Sequence, residues 1–281
     1  MSEPVSFIKM HGAGNDFVII DSRIHDAQLS KAAIVNICHR HFGIGCDQLI
    51  ELCSPKHKDA DIYIKIYNSD ASLSAACGNA TRCVAALLMS EKEDDTCIIE
   101  TDAGLLPCIV DDEGVINVDM GKPKFNWQDI PLAEELPTHE LPLNIEGLSN
   151  PYVLSMGNPH CIFVVEDITK IDIEKIGSLV ENHPFFPERC NVEFAQIFSK
   201  EHIRMRVWER GSGVTLACGS GTCATVVALA KKGLVKRKVK VSVDGGTLGV
   251  EWVREDDHVI LSGPIAISFG GTLSESLWQE R

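Results

Sequence analysis

The chain lacks the run of ~18 or more apolar residues that a membrane-crossing helix needs, anywhere in its 281 residues. Its first residues, Met1-Ser2-Glu3-Pro4, lack the basic and apolar regions of a secretory signal. A soluble, cytoplasmic protein is the expectation. Positive charge is also scarce. Against 40 Asp and Glu stand 26 Lys and Arg, a formal net charge of -14 that opposes binding to nucleic acid or an anionic membrane. The one basic run, Lys231-Lys232-Gly233-Leu234-Val235-Lys236-Arg237-Lys238, reads as a helix end closed by Gly233 and a solvated turn. No C-x-x-C occurs among the 11 cysteines, which argues against a zinc site or a dithiol redox protein. Their odd number and irregular spacing argue for reduced thiols and against a disulfide framework. No P-loop is present, and Gly12-Ala13-Gly14 does not extend to G-x-G-x-x-G, so neither cofactor nor metal is expected.

What the chain does have is a cysteine set at the start of a small-residue helix, Leu216-Ala217-Cys218-Gly219-Ser220-Gly221-Thr222-Cys223, continuing into Ala224-Thr225-Val226-Val227-Ala228-Leu229-Ala230. Glycine and serine leave the first backbone N–H groups bare, and the partial positive charge of a helix start favours a thiolate or a bound carboxylate. A thiol placed there is acidic and reactive. A second such site, Cys77-Gly78-Asn79-Ala80-Thr81-Arg82-Cys83, leads into Val84-Ala85-Ala86-Leu87-Leu88.

The two cysteines are 141 positions apart (218 − 77), almost half the chain, and other pairs recur at nearly that offset. Gly14-Asn15 answers to Gly157-Asn158, Gln48 to Asn191, the helix cap Ser30 to Asp172, Tyr67-Asn68 to Trp208-Glu209, and Asp102-Ala103-Gly104 to Asp244-Gly245-Gly246. An ordered series of this kind is the mark of a duplicated unit. The expected class is α+β. It has two pseudo-symmetric lobes from internal duplication, each a curved, strand-rich sheet or barrel around a central helix, with the active site in the cleft between them. Residues 1–121 form the first lobe and 122–267 the second. The Pro-rich, acidic connection from Lys122 to Pro151 reads as a surface excursion, Asn191-Val192-Glu193-Phe194 as a loop, and the helices capped by Ser30 and Asp172 as running to Arg40 and Asn182.

Two thiols on opposite sides of one carbon remove a proton from one face and return one to the other, which inverts the centre. One must be thiolate while the other is thiol, so the pair titrates as a coupled unit and exchanges roles after each turnover. The N–H groups near Gly78-Asn79 and Gly219-Ser220 are placed to clamp an α-carboxylate and stabilise the charge that develops as the α-proton leaves. Asn15, Gln48 and Asn68 from one half, and Asn158, Asn191, Glu209 and Arg210 from the other, converge by the same repeat. Singly each asparagine reads as a turn residue. His160 and Glu209 are candidates to tune the thiols by hydrogen bonding, although a lone histidine commonly serves structure.

At these residues the chain resembles diaminopimelate epimerase, a cofactor-independent enzyme family of lysine and peptidoglycan precursor synthesis. The matching motifs are His11-Gly-Ala-Gly-Asn-Asp-Phe17, Phe42-Gly-Ile-Gly-Cys-Asp-Gln48, Tyr67-Asn68, Cys77-Gly-Asn79, Gly157-Asn-Pro-His160, Asn191-Val-Glu-Phe194, Glu209-Arg-Gly211 and Ala217-Cys-Gly-Ser-Gly-Thr222. The related proline racemase group usually has Gly-His after its first cysteine in place of Gly78-Asn79. The resemblance implies interconversion of LL- and meso-2,6-diaminopimelate, with Cys77 and Cys218 as the acid and base pair. It also implies that Gly78, Asn79, Gly219 and Ser220 hold the reacting carboxylate. Asn15, Asn68, Asn158, Asn191, Glu209 and Arg210 would hold the rest of the substrate, with Gln48 nearby and His160 and Glu209 adjusting the thiols. It further implies a homodimer acting on a small molecule, and a C-terminal segment, 268–281, that returns to the first lobe. Ala80, Ala71, Leu73, Ala75 and His39 depart from common family residues, none at a matched catalytic position. The rival readings are a racemase for another amino acid and, in a different class, a thiol redox or zinc-binding protein. The first leaves distal polar groups unpaired, at ~1–3 kcal/mol each.

Overall fold

The computed structural model describes residues 5–23 and 29–278. Met1-Ser2-Glu3-Pro4, on which the reading of the N-terminus rests, and the last three residues of segment 268–281 lie outside them. The chain divides into two compact units, Met1–Val118 with Pro264–Arg281, and Asp119–Gly263. Among the described residues no helix is long and apolar enough to cross a membrane.

In the first unit β1 (Ser6–Gly12) and β2 (Asn15–Asp21) form a hairpin, followed by α1 (Lys31–Cys38), β3 (Gln48–Cys53), β4 (Ile62–Asn68), the short β5 (Leu73–Ser74), α2 (Gly78–Lys92), β6 (Thr96–Thr101), β7 (Gly104–Val110) and β8 (Ile116–Asp119). The hairpin turns on Ala13 and Gly14, both at positive φ (51° and 83°), the two-residue turn whose twist matches the strands. β2 runs parallel to β3 and β4 parallel to β6, and the other neighbours are antiparallel.

The second unit opens with a small hairpin, β9 (Asn144–Ile145) and β10 (Leu148–Ser149). It then repeats the first unit's order: β11 (Tyr152–Ser155), β12 (Pro159–Val164), α3 (Ile173–Glu181), β13 (Asn191–Ser199), β14 (His202–Glu209), β15 (Gly213–Thr215), α4 (Gly219–Lys231), β16 (Lys238–Val243), β17 (Gly246–Trp252) and β18 (Val259–Gly263). The pairings repeat as well, with β12 parallel to β13, β14 parallel to β16 and the rest antiparallel. The expected α+β class and the duplication are both present as topology.

The ends of the two units are built alike. β19 (Ala266–Thr272) pairs antiparallel with β1, Leu273 N–H donates to Val5 O at 2.8 Å, and α5 (Glu275–Trp278) packs on α1. In the second unit Lys124, which follows β8, bridges Ser155 of β11. The sheets curve around their helices: α4 touches β11, β12, β13, β17 and β18, and its residues from Gly221 to Leu229 are buried all round. A helix apolar on every face has to be enclosed in this way.

Three sequence expectations are corrected. The connection 122–151 is no surface excursion, because Ile130, Leu132, Leu141 and Leu143 are buried in the second unit's core with Phe163, Val180 and Phe194. Each such side chain contributes roughly 1.5–3 kcal/mol on burial, enough to draw the segment in despite its prolines and acids. Asn191-Val192-Glu193-Phe194 is no loop but the start of the nine-residue β13, buried on both faces and so without alternation. The helices capped by Ser30 and Asp172 stop earlier than expected, at Cys38 and Glu181; both caps form, accepting from Ala33 N and Lys175 N at 3.1 Å.

Candidate active site

Cys77 and Cys218 occupy equivalent places. Each is the N-cap of its helix, with extended φ,ψ (−148°, 107° and −121°, 117°), and each gives its carbonyl to the N–H four residues on, Thr81 or Thr222, at 2.9 Å. The N–H groups of Gly78 and Asn79, and of Gly219 and Ser220, are then the first donors of α2 and α4, with no carbonyl one turn behind them.

In the first unit, Cys77 Sγ lies 3.6 Å from Asn15 Oδ1, which also accepts from Asn79 Nδ2 at 3.2 Å. Asn15 Nδ2 donates to Asp47 Oδ2 at 3.0 Å, and this fixes which end of the amide faces the thiol. Behind it Lys9 and Arg40 bind Asp16, and Arg40 also binds Asp47 at 2.7 Å. Burial would raise the Asp16 carboxyl, but hydrogen bonds from Arg40 and Lys9 outweigh it and hold the group at about 2. Gln48 and Asn68 face each other across β3 and β4, with Gln48 Nε2 donating to Asn68 Oδ1 at 2.9 Å and Asn68 Nδ2 to Ser72 Oγ at 3.0 Å.

In the second unit, Asn158 Nδ2 donates to Ser220 Oγ at 3.2 Å, and Ser220 Oγ lies 3.6 Å from Cys218 Sγ. His160 is fully buried, with Nε2 2.8 Å from Asn158 Oδ1 and Nδ1 2.7 Å from Glu193 Oε1. Glu209 accepts from Thr215 Oγ1. Burial pushes the Glu209 carboxyl up, while its bonds to Thr215 and Cys218 pull it down. Burial also pushes the Cys218 thiol well above its usual range. The Glu209 and Glu193 carboxylates add to that rise, against the opposing Gly221 N–H. Asn191 is buried, donating to Pro159 O at 3.1 Å and accepting from Arg210 N at 3.0 Å, so its amide braces the backbone that carries Arg210. The exposed Arg210 side chain bonds Glu188 O at 3.2 Å.

The structure thus gathers Asn15, Cys77, Gly78 and Asn79 in one unit and Asn158, His160, Glu209, Cys218, Gly219 and Ser220 in the other. Gln48 and Asn68 form a separate pair. Four further residues bond to these side chains without being candidates from the sequence: Asp47, Arg82, Glu193 and Thr215. Glu193 carried a signal, since it stands two positions after Asn191 on the same strand face. Arg82 carried another, a charge inside an apolar helix.

The sequence profile of the family described as diaminopimelate epimerase matches residues 7–126 and 152–267. A diaminopimelate epimerase of Rhodospirillum centenum is 47% identical over 271 residues, covering 96% of this chain and 93% of that one. One of Acidiphilium cryptum is 49% identical over 271 residues, covering 96% and 97%. Among solved structures, a hydroxyproline epimerase from Agrobacterium vitis aligns with TM-score 0.70 at 16% identity, covering 97% of this chain and 91% of that one. A Bacillus anthracis phenazine biosynthesis protein of the PhzF family aligns with TM-score 0.66 at 16% identity, covering 97% and 100%. At that identity the likeness is one of fold.

Proposed function

The chain belongs to the diaminopimelate epimerase family and is an isomerase, and from that premise we propose that it interconverts LL- and meso-2,6-diaminopimelate with Cys77 and Cys218 as its two proton carriers. The observation that carries the reading is the matched placement of the two cysteines, each capping a buried helix whose first N–H groups lack intrahelical acceptors.

The step begins with Cys77 as thiolate and Cys218 as thiol. The raised Cys218 thiol, held by burial and two carboxylates, supports that assignment. The substrate α-carboxylate sits on the N–H groups of Gly78, Asn79, Gly219 and Ser220, where both helix dipoles favour negative charge. Cys77 Sγ takes the α-proton, the carbanion charge spreads into the carboxylate under those donors, and Cys218 S–H delivers a proton to the opposite face. The next turnover, from the other isomer, runs with the roles exchanged. Asn15 orients Cys77 and Asn79. His160, Asn158 and Ser220 form the corresponding chain to Cys218, and Glu209 holds that thiol's proton. Asn68, Asn191 and Arg210, with Gln48 beside Asn68, serve the distal amino-acid end.

In this reading the protein is a cytoplasmic enzyme of lysine and peptidoglycan precursor synthesis. It acts as a homodimer, for which the exposed Ile267 and Phe269 of β19 speak. The experiment is wash-in of solvent deuterium at the α-carbon of both isomers under reducing conditions. Wild type is expected to exchange and interconvert them, while Cys77→Ser and Cys218→Ser fail to epimerise. Retained epimerisation in either variant sinks the two-thiol mechanism, and absence of exchange in wild type sinks the substrate.

A further inference from the structure

Glu181, the last residue of α3, is buried, and both of its oxygens serve the turn that carries Arg210. Oε2 accepts from Trp208 Nε1 at 2.7 Å, and Oε1 accepts from Gly211 N at 2.8 Å and from Arg189 Nη1 at 3.3 Å. All three partners are N–H donors, which an ionised carboxylate accepts in full and a glutamine amide does not. The bonds to Trp208 and Gly211 straddle Glu209-Arg210, and between them Arg210 N donates to Asn191 Oδ1 at 3.0 Å.

The turn itself is closed by Ser212 N, which donates to Glu209 O at 3.0 Å. Gly211 has a φ of 76° while Arg210 lies outside the left-handed region, the pattern of a type II turn. Type II differs from type I by a flip of the central peptide, here Arg210-Gly211, and the N–H of that peptide is the one Glu181 holds. The side-chain end of Arg210 is tied to the same carboxylate. Its Nη1 donates to Glu188 O at 3.2 Å, and Glu188 directly precedes Arg189, which Glu181 also binds. Glu209, by contrast, is fixed without Glu181, by its pairing with Gly213 and by Thr215 Oγ1.

The duplicated turn of the first unit is built otherwise. By the repeat Glu181 answers to His39, whose Nδ1 accepts from His41 N and Phe42 N in its own loop. The turn after Asn68 is braced from within, Asp70 Oδ1 accepting from Ser72 N at 2.9 Å and from Ser72 Oγ at 2.6 Å. The carboxylate brought in from a helix thus serves the turn that bears an arginine.

Resting on the diaminopimelate reading above, we propose that Glu181 is a positioning residue for the distal end of the substrate. It fixes the turn and the Glu188 carbonyl so that the exposed Arg210 fork stands ready for the distal carboxylate. A planar fork held in advance loses less binding energy to ordering. Such a role shows in KM and not in kcat, because the distal end is bound alike before and during proton transfer.

The test is a double-mutant cycle on Glu181 and Arg210, read as KM and kcat for both isomers. Glu181→Ala is expected to raise KM about tenfold, the order of one charge-assisted hydrogen bond, with kcat close to wild type. Arg210→Ala raises KM at least as much, and the double variant is no worse than Arg210→Ala, because Glu181 acts through Arg210. Effects that multiply in the double variant overturn the proposal, as does Glu181→Ala with an unchanged KM or with a loss in kcat alone. Should Glu181→Ala not fold, Glu181→Gln keeps the volume, leaves one N–H donor without an acceptor and enters the same cycle. It is expected to raise KM with Arg210 present and not in Arg210→Ala, and a rise in both overturns the proposal. The hold on the turn is read without substrate, as hydrogen exchange of the Gly211 amide. Faster exchange in Glu181→Ala or Glu181→Gln than in wild type upholds it, and equal exchange overturns it, so this arm is separate from any failure of wild type to epimerise diaminopimelate.

Discussion

Asp16 ties the stability of the first unit to the orientation of Asn15 beside Cys77. Burial opposes its charge, yet Arg40 and Lys9 hold the carboxyl at about 2, below the ~4 of an unfolded chain. A depressed carboxyl stabilises the folded state above the unfolded pKa, and that contribution is lost as pH falls through the folded value. Asp16→Asn is therefore expected to lower unfolding free energy by at least about 2 kcal/mol at pH 7. Its deficit against wild type should close between pH ~4 and ~2. Urea unfolding over a pH series checks this, and a deficit constant with pH would show that shape and not charge is lost. The same neighbourhood marks what a residue-by-residue reading of sequence finds. Asn15 and Asn158, or Cys77 and Cys218, stand out because each has a counterpart in the other half. Arg82 and Glu193 do not stand out in this way, because their counterparts are Cys223 and Ile50, so the repeat that exposes shared chemistry hides the charged residues that break its symmetry.

For whole elements, local capping chemistry and the burial of the two all-apolar helices are legible in the sequence, and the burial of β13 and of the connection 122–151 is not. Ser30 and Asp172 fix the starts of α1 and α3 through bonds inside one turn, whereas β13 and the buried connection depend on partners distant in sequence. The packing of α3 is a further case that only the structure supplies. A Cβ on Gly177 would stand 2.5 Å from both Cβ and Cγ of Trp208 on β14. The indole is also held by Nε1 donating to Glu181 Oε2 at 2.7 Å. Alanine improves helix propensity by up to about 1 kcal/mol over glycine, but overpacking typically costs about 1–3 kcal/mol, so the steric effect wins. Gly177→Ala is expected to destabilise by roughly 1–2 kcal/mol net, while Glu174→Ala on the exposed side of α3 stays within about 0.5 kcal/mol. Equal chemical-unfolding midpoints for the two variants would contradict the contact.

Across the molecule, the repeat read from spaced motifs corresponds to two units with the same strand order and the same pattern of parallel and antiparallel neighbours. Spacing conveys order, but it does not say which chain segment closes each sheet. In the first unit that segment is the C-terminal one: β19 completes the ladder on β1, and Leu273 is buried with Phe7, Val18, Ile34 and Ile37. Truncation after Gly263 removes both the ladder and that side chain. It leaves β1 with unpaired N–H and C=O groups on one edge, a hazard for aggregation, and opens a cavity of the kind that costs about 2–5 kcal/mol for a leucine. Losses of that size rival the total stability of an ordinary domain, about 5–15 kcal/mol, so they are expected to melt the first unit and spare the second. Hydrogen exchange read peptide by peptide checks this. In the truncated chain β1, β2 and α1 are expected to lose protection while β11–β14 and α4 keep theirs, and epimerase activity disappears with the support of Asn15 and Cys77. Protection that persists in β1 after truncation would mean that the hairpin and α2 suffice to hold it, and that β19 covers the sheet without stabilising it.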